Sequence, residues 1–386
     1  MKFLSFFKGD KSRMTVYILT IILSVAFLVV GNAVARNDFD VFGKDVEPAL
    51  DAVVLEKHRA EYDDEIKSTR VTFLAEITSG ENKGKNVTCE QIIDDVYIYS
   101  AKEVEIGDKV LIYSNAEGSE TEYSFSEYRR TDSLFVLLIA FLVCLLLFGG
   151  KKGFNTVISL GFTVLSVFVV FLPACLSGQN IYVWTVITCT FIIVMTLLVV
   201  YGIKKQSIAA AISCFSGMLV CGGLTLVMSN IMKLTGMIDD SSYHLTLLPT
   251  SSPINLNAIT FAAITIGAIG AVMDVSISIS SSLQEVNSKA PNLSRVQLMG
   301  SGMTIGRDMM GTMANTLVLA YIGSSLAMTL VLMVNQPTLI ELLNMELIIT
   351  ELLQILVGSF GILMTIPLTS LICSIMYKKT MKKTDA

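Results

Sequence analysis

Long apolar runs occupy most of this 386-residue chain, and one polar segment interrupts them near the beginning. A helix needs about 20 mostly apolar residues to cross the hydrocarbon layer of a lipid bilayer. Eight runs approach or exceed that length, at residues 14–34, 134–149, 154–176, 181–203, 207–232, 256–280, 304–334 and 348–377. The pattern therefore predicts an α-helical polytopic membrane protein with about eight transmembrane helices.

The polar segment divides the chain into three predicted parts. Residues 1–35 are predicted to form a cytoplasmic N-terminus and the first transmembrane helix, residues 36–131 an extracytoplasmic domain, and residues 132–386 a membrane domain of about seven helices. The first run also resembles a secretory signal, because basic residues precede it and Ala33-Val34-Ala35 is a possible cleavage site. Its length exceeds the roughly 7–15 apolar residues of such a signal, which favours an uncleaved anchor.

Short β-type segments separated by glycine-containing turns characterise the polar segment. The predicted strands are residues 71–77, 87–89, 96–99 and 104–113, with a further one at 52–59. This spacing is typical of a small β-barrel or sandwich. The sequence SGENKGK at 79–85 invites comparison with a phosphate-binding loop, but one spacer residue is missing and Asn86 stands in place of Ser or Thr. We therefore predict a hairpin turn there and no nucleotide site.

Composition supports the membrane assignment and excludes several function classes. Hydrophobic residues make up 53% of the chain and charged residues only 16%, against about 25% charged residues in an ordinary soluble domain. The net charge is −5, and no basic stripe with interleaved aromatic residues suggests a nucleic-acid partner. The seven cysteines include no CxxC pair, and His58 and His244 are far apart. We expect no metal site, no cofactor and no enzymatic activity.

Lysine and arginine placement predicts the orientation in the cell membrane. Basic residues cluster before the first run, at 151–152 and 204–205, in the loop around 289–295 and in the C-terminal tail. Because such residues concentrate in cytoplasmic loops, both termini are predicted to be cytoplasmic and residues 36–131 extracytoplasmic. The loop 233–255 then lies outside, where it either caps the helices or simply joins them.

Ionisable residues inside the late apolar runs are the main functional candidates. Asp274, Arg307, Asp308 and Glu351 lie within or at the edge of these runs, and an ionisable group in a bilayer costs several kcal/mol unless it is paired or hydrated. Spacings of three and four residues place them on stripes of small and polar side chains. The stripes are Gly267, Gly270, Asp274, Ser278 and Ser281; Thr304, Asp308, Gly311 and Asn315, with Thr312 and Thr316 beside them; and Glu351, Gln354, Gly358, Gly361 and Thr365.

Two interpretations of these stripes remain open. In the first they form a polar seam between the last three helices, along which a small solute or ion moves. Asp274 and Asp308 would then titrate or coordinate, Arg307 would be their charge partner, Thr312 and Asn315 would line the seam, and Glu351 would be an outer gate. In the second, an Asp274–Arg307 clamp locks the helices together. A protease dyad of Asp274 and Asp308 has less support, because the adjacent Arg307 would keep one carboxyl group ionised.

The chain resembles the YibE/F family of bacterial multipass membrane proteins. The resemblance is carried by GAIGAVMDVSISISSSLQEV at 267–286, GRDMMGTMANTLVLAYIGSSL at 306–326 and ELLQILVGSFGILMTIPLTSLI at 351–372. The SGENKGK turn and the VEIGDKVLIY strand also look like the outer domain of the family. The resemblance implies the membrane fold and a role in transport or efflux.

Two functions from different classes follow as expectations. The first is a transporter for an unidentified small solute or ion in the lipid bilayer. The alternative is a membrane scaffold or assembly factor whose β-domain binds a protein or another envelope component. Small residues on the stripes also allow a homo-oligomer.

Overall fold

A computed structural model describes residues 11–36, 48–63, 67–94, 102–114, 123–248, 253–335 and 338–377. It is mostly helical, at 72%. The chain divides into two compact units, Phe42–Phe148 and Met1–Val41 together with Gly149–Ala386. The first unit contains the strands and the second contains most of the helices.

The polar segment folds as a closed five-stranded barrel. Its strands are β1 (Leu50–Asp63), β2 (Ser68–Ile77), β3 (Asn86–Asp94), β4 (Lys109–Ser114) and β5 (Tyr123–Tyr128), in the order β1-β2-β3-β5-β4. All pairings are antiparallel except the short parallel pairing of β3 with β5. Alternate residues of β2 are buried in the barrel, including Val71, Phe73 and Ala75. The structure thus confirms the β-rich prediction and selects the barrel.

The turn between β2 and β3 is the predicted hairpin. Gly80 and Gly84 adopt φ values of 73° and 85°, which glycine reaches without a steric cost. The Gly84 N–H donates to the Ile77 carbonyl oxygen at 2.7 Å and closes the turn. The predicted strand 96–99 lies outside the described residues, and β5 was not predicted.

Seven helices among the described residues are long and apolar enough to cross a bilayer by length and composition. They correspond to α1 (Lys11–Ala35), α2 (Thr131–Leu165) with its continuation through a π-helix (Ser166–Phe171) and α3 (Leu172–Leu176), α4 (Ile181–Tyr201), α5 (Lys205–Ile231), α7 (Leu256–Lys289), α8 (Arg295–Asn335) and α10 (Glu346–Tyr377). Two short helices, α6 (Asp240–Thr246) and α9 (Leu339–Asn344), lie in connections.

The difference between eight predicted runs and seven helices arises at Gly150. Runs 134–149 and 154–176 fall within one helical element, but Gly150 has φ 51° and ψ −125°, which is not helical. The backbone therefore forms two successive helical segments that meet at this glycine. Two adjacent lysines follow it in the sequence, which explains why the hydrophobic pattern reads as two runs.

The centre of the helical unit is the packing of α5, α7 and α10. Glycines permit the close approach: a Cβ on Gly217 of α5 would lie 2.7 Å from Val272 Cγ1 of α7, and one on Gly361 of α10 would lie 3.2 Å from Val272 Cγ2. Val272 itself is fully buried. Helix α8 packs mainly on α10 and less on α7, so it lies at the edge of this group.

Helix α1 also belongs to the helical unit. The rings of Phe27 and Phe191 of α4 stack with their centroids 4.0 Å apart. The Gln179 side-chain amide donates to the carbonyl oxygens of Val34 at 2.6 Å and Ala35 at 3.2 Å. Carbonyl groups at the end of a helix lack internal partners, so this side chain satisfies the end of α1.

Candidate functional site

Asp274 lies on an exposed stripe of small residues along α7. Ala263, Gly267, Gly270 and Asp274 are all exposed, whereas the residues between them are mostly buried. We call these four residues the α7 stripe. The carboxylate of Asp274 interacts electrostatically with Tyr201 at the end of α4 and with Cys214 of α5. A Cβ on Gly270 would meet nothing within 4 Å, so the stripe has open space beside it.

Glu351 lines a cavity of about 210 Å³ between α6, α7 and α10, which we call the Glu351 cavity. Its wall is mainly apolar, with polar side chains from three elements. These are Ser242 of α6, Thr260 of α7, and Thr350, Glu351 and Gln354 of α10. Ala263, the first residue of the α7 stripe, also lines it.

Residues 233–248 of the connection therefore contribute a wall to this cavity. Asp239 accepts hydrogen bonds from the backbone N–H and the hydroxyl of Ser242, both at 2.8 Å, and so caps α6 at its N-terminus. The backbone hydrogen bond from Ser242 holds the pKa of the Asp239 carboxyl below its usual range. Glu346 accepts from the backbone N–H groups of Thr235 and Gly236, both at 2.6 Å. The connection is fixed to α10 and does more than join two helices.

Tyr321 of α8 meets the α7 stripe next to this cavity. A Cβ on Gly267 would lie 2.6 Å from the Tyr321 hydroxyl oxygen and 3.1 Å from the Gln354 side-chain nitrogen. The Tyr321 hydroxyl thus lies near the Gln354 side chain, and Tyr321 also interacts electrostatically with Glu351. Polar groups of α8 and α10 thus converge on the glycine that separates Ala263 from Gly270.

The polar residues of α8 lie on a different face of the helix from the residues that contact α10. Arg307, Asp308, Thr312 and Asn315 are all exposed, while the contacts of α8 with α10 run through Gly302, Gly306 and Leu317. Because successive residues of an α-helix are rotated by about 100°, Asp308 lies some 200° around the helix from Gly306. The expected convergence of three stripes in one seam therefore does not include α8.

Asp274 forms no ion pair with Arg307 or any other cation of the described chain, and none is formed there by Asp308 or Glu351. The register of α7 and α8 explains this for Asp274. Gly267 lies beside Tyr321. Because α7 and α8 are antiparallel, moving seven residues forward along α7 to Asp274 corresponds to moving seven residues back along α8 to Ala314. Arg307 is a further seven residues away, about 10 Å along the axis at 1.5 Å per residue. The expected clamp and the protease dyad are not formed.

The stripe of α10 is divided between two environments. Glu351 and Gln354 border the Glu351 cavity, whereas Gly358, Gly361 and Thr365 are buried in the helix core. The Thr365 hydroxyl donates to the Gly361 carbonyl oxygen at 2.6 Å. The part of the α10 stripe from Gly358 to Thr365 therefore packs against neighbouring helices.

A polar cluster at the other end of α7 was not found from the sequence. Ser280 donates to the Gln206 carbonyl oxygen at 2.9 Å and lies 2.7 Å from the Tyr377 hydroxyl. The Gln206 side-chain amide also donates to the Ser281 hydroxyl. The cluster joins α5, α7 and α10. Helical periodicity identified Ser281, but its partner belongs to α5, which was outside the predicted seam.

Comparison with known proteins identifies the helical part of the chain. The YibE/F-like protein family matches residues 137–379, well over half of the sequence. The chain belongs to the YibE/F family. No curated protein and no solved structure gave a match. The YibE/F match begins inside α2, so the resemblance of the barrel to the outer domain of the family stays a prediction.

All candidate groups lie within the YibE/F region. It contains the α7 stripe, the Glu351 cavity and the polar face of α8. Within the described residues of this YibE/F protein, no group of three or more His, Cys, Asp or Glu side chains is arranged to hold a metal ion. A second cavity of about 300 Å³, between Cys175 and Ala258, is lined by no acidic or basic side chain. The Glu351 cavity therefore differs from it in having a carboxylate in its lining.

Proposed function

We propose that this protein is a multi-pass transporter of the cell membrane that moves a small solute or ion along the α7 stripe. The observation that carries the proposal is the continuity of the stripe with the Glu351 cavity through Ala263. From Ala263 to Asp274 the path covers about 17 Å at 1.5 Å per residue. It has a carboxylate at each end and small side chains between them, and the Tyr321 hydroxyl and the Gln354 side chain lie next to its middle at Gly267.

Membrane insertion is supported by the outward-facing side chains of the helical unit. Large apolar residues are exposed on several helices, for example Val29 at 64%, Leu319 at 61% and Leu356 at 54%. Such surfaces are compatible with hydrocarbon and unfavourable in water. The distribution of Lys and Arg supports cytoplasmic termini and an extracytoplasmic barrel.

Transport differs from a structural clamp in what it requires of the carboxylates. A clamp needs each carboxylate to be paired, whereas a translocation group must bind and release a cation or proton. Asp274 and Glu351 have no cationic partner in the described parts of the chain, and Gly270 leaves space beside the stripe. The unpaired carboxylates and the open space together favour a pathway along α7 over a structural clamp between helices.

The first test is flux into liposomes containing the purified full chain. Protons reported by a pH-sensitive dye, radiolabelled sodium and radiolabelled methylammonium serve as probes. Asp274→Asn and Glu351→Gln are expected to reduce flux at least about tenfold, because each removes a charge from the path. Asp308→Asn is expected to leave flux unchanged, since Asp308 lies on the exposed face of α8.

A second pair of variants tests the route without changing charge. Gly270→Leu would place a large side chain beside the stripe and is expected to block flux. Gly223→Leu makes the same change on α5, where a Cβ also meets nothing within 4 Å, and should have no effect. Loss of flux in Asp308→Asn with normal flux in Gly270→Leu would move the route to α8. Wild-type protein that moves none of the probes would contradict the proposal and favour a scaffold that acts through the barrel.

A further inference from the structure

A buried polar group beside the Glu351 cavity has no partner among the described residues. Thr350 is only 7% exposed, and its hydroxyl is buried with no hydrogen-bond partner. Other threonines of α10 bond to the preceding turn, as Thr365 and Thr369 do at 2.6 and 2.7 Å. A buried hydroxyl without a partner is unfavourable by about 1–3 kcal/mol. The hydroxyl has almost no surface open to the cavity, so the neighbouring Glu351 and Gln354 side chains are the polar groups of α10 that a ligand there could meet.

The Glu351 cavity offers a ligand a negatively charged side chain. Glu346 is engaged by the backbone of Thr235 and Gly236, and Asp239 is engaged as the cap of α6. Among the described residues, Glu351 is the one charged residue of the cavity lining. A positively charged group is therefore the complement of this cavity.

Size and lining distinguish an organic cation from a metal ion. The volume of about 210 Å³ corresponds to about seven water molecules in the liquid, far more than a bare ion fills. Metal cations require several oxygen ligands at short range, and the acidic cluster that would supply them is not found among the described residues. Ile259, Ile264 and Leu347 provide an apolar wall for an alkyl group.

We propose that the Glu351 cavity binds a small organic ammonium cation. Its N–H groups donate to the Glu351 carboxylate and to the side-chain oxygen of Gln354, while its alkyl part packs on the apolar wall. Binding balances the charge of the carboxylate. The inference deepens the proposed function and rests on it only in taking the bound cation to be the transported solute.

Calorimetric titration of the full chain in lipid nanodiscs tests the proposal. Propylammonium is the probe, and sodium chloride at matched ionic strength is the reference. Wild-type protein is expected to bind propylammonium saturably and sodium not at all. Glu351→Gln should weaken binding at least about tenfold, because hydrogen bonds to charged groups are among the stronger ones.

Two further variants separate binding from folding. Ala263→Leu reduces the volume of the cavity and keeps every charge, so it should weaken propylammonium binding. Because Ala263 is exposed, the melting temperature should stay within a few degrees of wild type. Glu341→Gln removes an equivalent carboxylate from exposed α9 and should bind like wild type. Sodium binding that matches propylammonium, or propylammonium binding unchanged in both Glu351→Gln and Ala263→Leu, would overturn the proposal.

The two proposals fail in different ways. Propylammonium binding that requires Glu351, together with no flux of any probe, would leave the binding site standing and remove transport. Proton or sodium flux that depends on Asp274, together with no propylammonium binding, would leave transport standing and remove the ammonium site.

Discussion

Glycines of the helical unit differ in what surrounds the position of a missing side chain. Around Gly217 and Gly361 the space is filled by side chains of neighbouring helices, whereas around Gly223 and Gly270 there is nothing within 4 Å. The first pair allows α5, α7 and α10 to approach one another. The second pair leaves surface open, and on α7 that surface is the proposed route.

This difference predicts opposite effects of the same substitution on one helix. Gly217→Ala should lower the free energy of unfolding by about 1–3 kcal/mol, because the new methyl group would overlap the buried side chain of Val272. Gly223→Ala should leave stability unchanged or raise it by up to about 1 kcal/mol, since alanine favours a helix. Thermal unfolding of the two variants in the same detergent measures the difference. Equal melting temperatures would contradict the proposed close packing.

At the scale of single residues, the sequence predicts only part of the site. Helical spacing correctly placed Gly267, Gly270 and Asp274 on one face, because that requires only the period of the helix. It could not say which neighbour each face meets. The polar face of α8 was expected to turn inward with the others, but α8 uses Gly302 and Gly306 for its contacts with α10.

At the scale of elements, the predictable parts were those with strong periodicity. Strand β2 alternates buried and partly exposed residues, and α4 and α7 begin after Asn180 and Asn255, whose side chains accept from the backbone at 3.2 and 3.1 Å. Strand β5 has the sequence YSFSEY, which is too polar to stand out, and α6 has only seven residues. These elements depend on tertiary neighbours for their conformation.

A buried side chain of β3 helps to fix the segment before β4 to the barrel. Gln91 of β3 is 1% exposed, and its amide donates to the Lys102 carbonyl oxygen at 2.8 Å while its oxygen accepts from the Val104 N–H at 2.9 Å. Gln91→Leu would leave the buried Val104 N–H without this partner, so the barrel should lose about 1–3 kcal/mol of stability. Hydrogen exchange should then accelerate at Val104 and across β4.

Gln91→Glu provides the matched comparison. It keeps an acceptor for the Val104 N–H and removes the donor to Lys102, so exchange at Val104 should remain slower than in Gln91→Leu. Identical exchange in the two variants would show that this bond does not hold the segment.

At the scale of the whole molecule, α1 is joined to the helical unit by specific contacts. Phe27 stacks on Phe191, and Gln179 binds the carbonyl groups at the end of α1. Cleavage after Ala35 would remove all of these interactions. The sequence left an anchor and a signal as alternatives because both begin with basic residues and an apolar run.

We expect α1 to remain attached in the mature protein. Intact-mass measurement of protein purified from membranes should therefore give a mass that includes residues preceding Ala35. Phe27→Ala should lower the melting temperature, since it removes a stacked ring. A mature chain that begins at Arg36 would contradict the expectation.

The ring of strands limits how the barrel can recognise another protein. Many β-domains capture an extended peptide by hydrogen-bonding it to an unpaired edge strand. Here β1 and β4 are themselves paired and the described sheet is closed, so it leaves little free edge for that kind of strand addition, and what remains lies beyond the short β3–β5 pairing. A partner would instead have to recognise outward-facing side chains such as Ile92 and Ile106, which are 57% and 70% exposed. Its specificity would then depend on shape and surface chemistry, with little contribution from shared backbone hydrogen bonding.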